Sequence, residues 1–411
     1  MKSLRSKIGL ALICSLFLFL PFSSWLVSIY GMPEISLVRD VLILVLFILS
    51  LLKKDWDRKS LIRLSIPALF LLYGAISFSW REASDLQWLR GVRFLFGPIL
   101  LYLSLLNFDF AQSEKKTIYW SVLSGGLIIS LIAILEFFGI RIPVTSKYSD
   151  NGAINDIHRV GTLALVRLNG ILAGPNALGL YALSLIAFGI GVFKKINQKL
   201  IWLVPVFTLI LVLTFSRSSL LGLMAMILIV IGYLIKKSSG WRIALASIIL
   251  FISMAFCIFS ILYSLPKTRE LLTHNDSSSI RLKEYSRIWE TKGEIGLLGR
   301  GVGTAGPSSQ NRLDNGPNHY TENIYLDIFE ELGYVGLFLY LGLLLFTFKE
   351  ILKYAGATEN YTALLLFAGF CFTGLFINNY TGQVAVFLFW LINGLVVKNR
   401  NKVNPYNFPI I

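Results

Sequence analysis

Apolar runs of roughly 20 residues recur along the chain and are separated by short polar stretches. Each run is long enough to cross a hydrocarbon core of about 30 Å at about 1.5 Å per residue. Ten-residue alternating strands are absent, so the pattern predicts an all-α polytopic membrane protein and not a barrel. Twelve spans are expected, at 8–30, 35–52, 61–78, 91–107, 118–139, 172–193, 199–215, 218–235, 242–265, 334–348, 361–378 and 383–398. They divide the chain into 1–265 with spans one to nine, a long outer loop at 266–333, and 334–411 with spans ten to twelve and a tail.

Polar residues fix the direction in which the chain threads the bilayer. Lys53, Lys54, Arg58, Lys59 and Arg63 follow span two; Lys115 and Lys116 follow span four; Lys194, Lys195 and Lys199 follow span six. Lys236, Lys237 and Arg242 follow span eight, Lys349 and Lys353 follow span ten, and Lys398, Arg400 and Lys402 follow span twelve. The positive-inside rule then places both termini in the cytoplasm and the protein in the cytoplasmic membrane. Lys2, Arg5 and Lys7 before an apolar run resemble a signal peptide, but no small-residue cleavage pattern follows, so the first run is expected to be retained.

Composition agrees with this pattern. A hydrophobic content of 55%, a charged content of 15% and a mean hydropathy of +0.68 exclude a set of soluble domains. The net charge of +15 is spread in small groups between apolar runs. It therefore reads as a topology signal and not as a nucleic-acid surface. Cys14, Cys257 and Cys371 all fall inside apolar runs, where they are expected to pack and not to form a disulfide framework.

Candidate chemistry lies on the side opposite the lysines. The loop from Pro266 to Gly333 carries eight Lys and Arg residues, and the outer stretches favour arginine: Arg81, Arg90, Arg93, Arg141, Arg159, Arg167, Arg217, Arg281, Arg287, Arg300 and Arg312. Arginine presents a fixed fork that matches phosphate oxygens and keeps its charge where water is scarce. A phosphate-bearing ligand at the outer surface follows. Arg217, in Thr214-Phe215-Ser216-Arg217-Ser218-Ser219, is held at the membrane boundary between two spans; a snorkelling arginine closing a hairpin is the plainer alternative.

Arg167 precedes Asn169-Gly170 and a Gly174-Pro175 break, which reads either as an anion-facing turn or as an ordinary loop into span six. In the long loop, Arg281 and Tyr285 share a helical face and Trp289 follows; the run then reaches Gly299-Arg300-Gly301-Val302-Gly303, read as a flexible turn. That turn lacks the strand, lysine and hydroxyl of a nucleotide loop. Glu322, ahead of Asn323 and Tyr325, is a candidate proton acceptor or simply an acid at a helix start. His158, His274 and His319 lack zinc-helix spacing, so no metal is expected. No nucleophile elbow is present, and Ser216 and Ser218 have no identifiable base. The intramembrane charges, Arg39 with Asp40, Arg93 and Glu136, all sit toward the outer boundary and not at the midplane of a coupled transporter.

Taken in order, the Arg167 to Gly179 run, the Phe215-Ser216-Arg217-Ser218-Ser219 turn, Arg281 ahead of the Gly299 to Gly303 turn, and Glu322-Asn323-Ile324-Tyr325-Leu326 ending at Gly333 resemble the family of O-antigen ligases and Wzy-type O-antigen polymerases. The resemblance covers most of the chain from about residue 160 onward. It implies a GT-C-like, metal-independent and cofactor-free glycosyltransferase acting on glycans carried by undecaprenyl diphosphate at the outer leaflet. Polysaccharide of the O-antigen or capsule type is the product class. In that setting Arg167, Arg217 and Arg281 would bind the diphosphate and Glu322, with His319 as substitute, would be the base. Tyr285, Trp289, Asn323 and Tyr325 are candidate sugar contacts, with aromatic packing as the alternative for the rings.

The ligase branch typically has histidine at the position of Glu322, and this departure favours the polymerase branch. A ligase passing the chain to a lipid A core or a protein, and a flippase for a lipid-linked sugar, are the competing readings. Expected partners are the undecaprenyl-diphosphate-linked oligosaccharide, the bilayer and a chain-length regulator protein, with no nucleic acid.

Overall fold

The computed structural model describes residues 2–30, 33–53, 58–140, 167–237, 275–309, 319–353 and 358–398. The expected span at 242–265, together with Cys257, Arg141, Arg159, Arg312, His158 and His274, lies outside the described residues. Within them the regular structure is helical, with a single isolated bridge between Ala305 and His319. The other eleven expected spans all coincide with helices: α1 (Lys2–Tyr30), α2 (Leu37–Leu51), α3 (Arg58–Ile76), α4 (Asp85–Leu105), α5 (Gln112–Phe137), α6 (Pro175–Ile196), α7 (Leu203–Leu213) and α8 (Arg217–Lys237). In the outer loop lie α9 (Asn275–Ile295) and the short α10 (Gly306–Ser309), followed by α11 (Ile324–Lys353), α12 (Thr358–Thr373) and α13 (Gln383–Lys398).

Six of these helices, α1, α3, α4, α5, α6 and α11, are long and apolar enough to cross a membrane, and α7, α8, α12 and α13 are shorter apolar helices. The protein is an all-α polytopic membrane protein.

Burial grades the helices, with α6 and α13 the most enclosed and α3 among the least. α6 packs against α5, α7, α8, α12 and α13, and 89% of its apolar window is buried against 22% for α3. α13 is also apolar on every side and is buried nearly throughout from Val384 to Val397. A helix without a polar stripe needs protein or lipid around its whole circumference. α2 and α3 instead leave Val41, Leu44, Ile48, Leu69 and Leu72 exposed, as lipid-facing residues are.

α9 follows a different rule. Its residues Arg281, Ile288 and Ile295 are seven apart and so share one face. Ile288 and Ile295 are buried against Phe329 of α11. This contact lays α9 over the beginning of α11 and carries Arg281 with it.

α11 is broken at Gly333, whose φ of 65° and ψ of −165° belong to a region open only to glycine. The break frees backbone groups that the glycine-rich turn then satisfies. Arg300 N and Gly301 N donate to Glu330 O and Glu331 O at 2.9 and 2.8 Å, and Tyr334 N and Val335 N donate to Gly296 O and Leu297 O at 3.3 and 3.2 Å. A Cβ on Gly333 would stand 2.3 Å from Leu297 O, so the turn and the break fit only without side chains. The turn expected to be flexible is thus pinned on both sides. The buried Glu331 carboxylate completes the join, accepting from Gly303 N at 2.8 Å and from Ala305 N and Ser308 Oγ at 3.4 Å. Gln87 of α4 donates to Gly303 O at 3.3 Å, which brings the beginning of α4 to the same end of the helical array.

Candidate functional site: a three-arginine, one-carboxylate cluster

Four of the eight outer arginines among the described residues pair with carboxylates other than Glu322. Arg81 pairs with Asp85, Arg93 with Asp40, and Arg300 with Glu294 at 3.3 Å. Arg287 makes a two-pronged contact with Glu330, Nη1 to Oε1 at 2.7 Å and Nη2 to Oε2 at 2.8 Å, and Glu330 is fully buried. Burial works against the Arg287 charge, but Glu330 and Glu284 outweigh it and hold its pKa above the ordinary arginine value.

Arg167, Arg217 and Arg281 come together with Glu322. The charges of Arg217 and Glu322 act on Arg167, and those of Arg281 and Glu322 act on Arg217. Arg281 and Glu322 form a direct ion pair through Arg281 Nε and Nη2, with side chains 21% and 28% exposed, so the pair faces an opening. Burial lowers the Arg167 pKa, Arg217 adds to the lowering, and Glu322 opposes it. Among the described residues, three guanidiniums are thus gathered around one carboxylate, with Arg281 in direct contact and Arg167 and Arg217 within electrostatic range.

Each cation is delivered by its own segment. Arg167 Nε donates to Thr214 O at 3.0 Å and its Nη2 to Asn176 Oδ1 at 3.3 Å, while Leu168 N donates to Leu213 O at 3.3 Å. The Arg167 loop is thereby fastened to the end of α7. Glu136, at the end of α5, closes the loop from behind by accepting from Asn169 N at 3.0 Å and Gly170 N at 2.7 Å. Arg217 opens α8 after the Thr214–Ser216 turn. Ser216 Oγ lies 3.2 Å from Ser218 Oγ and 3.0 Å from Ser219 Oγ, a buried hydroxyl cluster that holds the helix start. α6 crosses so closely that a Cβ on Gly179 would meet Ser219 Oγ at 2.7 Å and Ser216 Cβ at 2.9 Å.

Among the described residues, the two non-glycine residues with positive φ are Phe215 at 52° and Glu322 at 53°. One precedes the Arg217 turn and the other is the carboxylate itself. Such backbone conformations cost of order 1–3 kcal/mol and persist where the surroundings over-determine them. For Glu322 the surroundings are visible. Thr321 donates to Asp327 Oδ1 through N at 3.1 Å and Oγ1 at 2.8 Å, and Asn378 Nδ2 donates to Asp327 Oδ2 at 2.6 Å. Asn323 Oδ1 caps α11 by accepting from Tyr325 N at 2.9 Å and Leu326 N at 3.2 Å.

The remaining expected site residues divide differently. Asn323 Nδ2 and Tyr285 OH both donate to Leu375 O, at 3.0 and 3.2 Å, and tie α9 and the Glu322 turn to the end of α12. Tyr325 OH donates to Cys371 O at 2.8 Å and its ring packs on Tyr340. Trp289 is 71% exposed, with Lys292 Nζ 3.4 Å from its ring centroid. His319 belongs to the other network, with Nδ1 2.7 Å from Glu330 Oε1. Glu136 and Asp327, which shape the cluster from behind, were given no role by the sequence. A carboxylate at the end of an apolar run is the signal that marks Glu136.

The fold and the cluster define a multi-pass membrane protein with a group of arginines around one carboxylate where its helices end. Residues 201–341, about a third of the chain, match the family model described as O-antigen ligase. No curated protein matches the chain. Over that stretch the chain is similar to the O-antigen ligase family. The matched stretch contains Arg217, Arg281, His319 and Glu322, whereas Arg167 lies before it.

Proposed function

We propose that this protein is a polysaccharide polymerase, which moves a growing glycan from undecaprenyl diphosphate to the sugar end of a second lipid-linked repeat unit at the outer face of the cytoplasmic membrane. The observation that carries this reading is the convergence of Arg167, Arg217, Arg281 and Glu322 from four separate segments into one cluster. Glu322 stands where the ligase branch typically has histidine, which favours a polymerase over a ligase.

The chemistry is an exchange of one carbon–oxygen bond for another. An acceptor hydroxyl attacks the anomeric carbon of the donor, its proton passes to the Glu322 carboxylate, and the bond to the diphosphate oxygen breaks with its electron pair. The three guanidiniums neutralise the negative charge that grows on the diphosphate, as fixed cations in a water-poor site do for developing anions. An arriving diphosphate competes with Glu322 for Arg281, so substrate binding frees the carboxylate to act as base. As proposed, the step uses no metal.

Arg217→Ala and Glu322→Gln test the reading in cells that make the glycan. Both variants should accumulate in the membrane and lose long chains on a gel of surface polysaccharide. Normal chain-length ladders in both would overturn the catalytic assignment. Gene deletion separates polymerase from ligase: a lost polymerase leaves single repeat units on the acceptor, whereas a lost ligase leaves full chains on the lipid carrier.

A further inference from the structure

A second cationic cluster is built where α2, α4 and α13 meet. Asp40 Oδ1 accepts from Arg39 Nε at 2.7 Å and Oδ2 accepts from Arg93 Nε, so two guanidiniums occupy both oxygens of one carboxylate. Arg93 Nη2 also donates to Ser36 Oγ at 2.6 Å, and Arg39 Nη1 donates to Gln383 Oε1. The Arg39 guanidinium lies 5.9 Å from the centre of the Phe387 ring. Its side chain is 5% exposed, whereas those of Arg93 and Asp40 are 26% and 23% exposed. Arg90, one helical turn before Arg93 and within range of its charge, brings a third cation to the same face of α4. A buried cation held rigidly behind a partly exposed one, with Arg39 and Arg93 set against the single Asp40 carboxylate among the described residues, is the arrangement that accepts an anion at a membrane boundary.

The cluster opens on the same end of the helical array as the first site. Gln87, one turn before Arg90, bonds the glycine-rich turn that latches onto α11. Asn378, which binds Asp327 behind the Glu322 turn, precedes the Gln383 that holds Arg39. A cavity bordered by Gly91, Phe94, Ser308, Asp327, Asn378 and Tyr380 lies between α4 and the beginning of α11.

We infer that Arg39, Arg90 and Arg93 around Asp40 form a second anion site for the phosphate of a lipid headgroup, separate from the cluster at Arg217. Joining two lipid-linked chains brings two diphosphates to the same face of the protein. The first site serves the donor, and the second serves the acceptor's diphosphate. The identity of that lipid rests on the polymerase reading, whereas the existence of the site rests on the geometry alone.

The test is the binding stoichiometry of undecaprenyl diphosphate on the full-length protein in phosphatidylcholine nanodiscs, read by native mass spectrometry. Wild-type protein should bind two equivalents, and Arg93→Gln should weaken one of them about tenfold, the loss of one charge-assisted contact. Arg90→Gln should weaken the same equivalent. Asp40→Asn should tighten it, because the internal competitor for the guanidiniums is gone. A purely structural ion pair predicts the opposite for Asp40→Asn, a less stable protein with no gain in affinity.

One equivalent in the wild type, undisturbed by Arg93→Gln or Asp40→Asn, would overturn the inference. Two equivalents of which Arg93→Gln removes one and Arg217→Gln none would sustain the second site and sink the assignment of the first. Competition with phosphatidylglycerol separates the sources. Displacement assigns the site to bilayer phospholipid, resistance assigns it to the isoprenoid carrier, and the anion site stands in both cases.

Discussion

Two arginine–carboxylate pairs join α9 to the segment around the beginning of α11, and they differ in nearly every physical respect. Arg287 grips Glu330 with two prongs, the carboxylate is fully buried, and His319 closes on the same oxygen at 2.7 Å. Arg281 meets Glu322 where both side chains are partly open, on a residue held at positive φ, beside two more arginines. The first pair has its carboxylate fully buried and bound by two groups, which is how a structural joint is made. The second leaves both of its side chains partly open and has two more arginines beside it, which is what the proposed binding role needs. The same residue types six positions apart on one helix therefore sit in unlike surroundings.

The same substitution at both carboxylates separates these roles most sharply. Glu322→Gln should lower the rate of chain extension by about 10²- to 10⁴-fold, the usual worth of a general base, with membrane abundance unchanged. Glu330→Gln removes the buried, two-pronged partner of Arg287 and leaves Glu284 as its remaining carboxylate, a loss that should show as reduced abundance and a lower unfolding temperature. Equal abundance and equal activity loss in the two variants would erase the distinction. Quantitative immunoblotting of membranes alongside the glycan gel reads both quantities from one culture.

The next test bears on the latch that both pairs share. Gly333→Ala puts a Cβ 2.3 Å from Leu297 O at a φ of 65°, and strain of this kind costs about 1–3 kcal/mol. The expected result is a lower unfolding temperature in detergent together with weaker activity, because α9 and the 296–301 turn lose their registration on α11. Retention of wild-type stability would mean that the turn has freedom the geometry does not allow.

How much of this was legible in the sequence depends on the range of the interaction. Apolar run length placed eleven helices, since a span answers mainly to the solvent around it. It did not separate α6 and α13 from α2 and α3, because lipid and protein interior select the same side chains. Arg167 and Arg217 were marked as arginines beside spans and Arg281 as an arginine on a helical face of the long outer loop, all of them local signals. Arg287, equally visible, turned out to be structural because its partner Glu330 lies 43 positions away. Glu136 and Asp327 escaped assignment for the same reason: each acts on backbone or side chains that only the fold brings near. The glycine-rich turn was read as flexible because glycines allow both freedom and tight packing, and the broken helix that it packs on is invisible to local pattern.

Glu136 offers a finer probe of the open pair's surroundings. It touches neither the Arg281–Glu322 contact nor any bound group, and acts by holding the Arg167 loop through two backbone donors. Glu136→Gln keeps an acceptor oxygen but exchanges charge-assisted bonds for neutral ones, a difference of about 1 kcal/mol. The expected outcome is a rise of about fivefold in KM for the lipid-linked donor with kcat little changed, because Arg167 is displaced while the base is not. A fall in kcat with KM unchanged would assign Arg167 to the transition state alone.

The smallest effect is expected at Asn323, beside the base. Its Oδ1 caps α11 and its Nδ2 ties the turn to Leu375 O, so Asn323→Ala should cost about 0.5–2 kcal/mol of stability. If the cap is what holds Glu322 at positive φ, activity should fall with it. Asn323→Asp then decides between the two bonds, because aspartate retains the capping oxygen and suits the positive end of the helix, yet cannot donate to Leu375. Recovery of both stability and chain extension in the aspartate variant would assign the Glu322 geometry to the cap. Recovery of stability without chain extension would assign it to the bond with Leu375, which Tyr285 shares, and would make the approach of α9 to α12 the feature that sets the open pair.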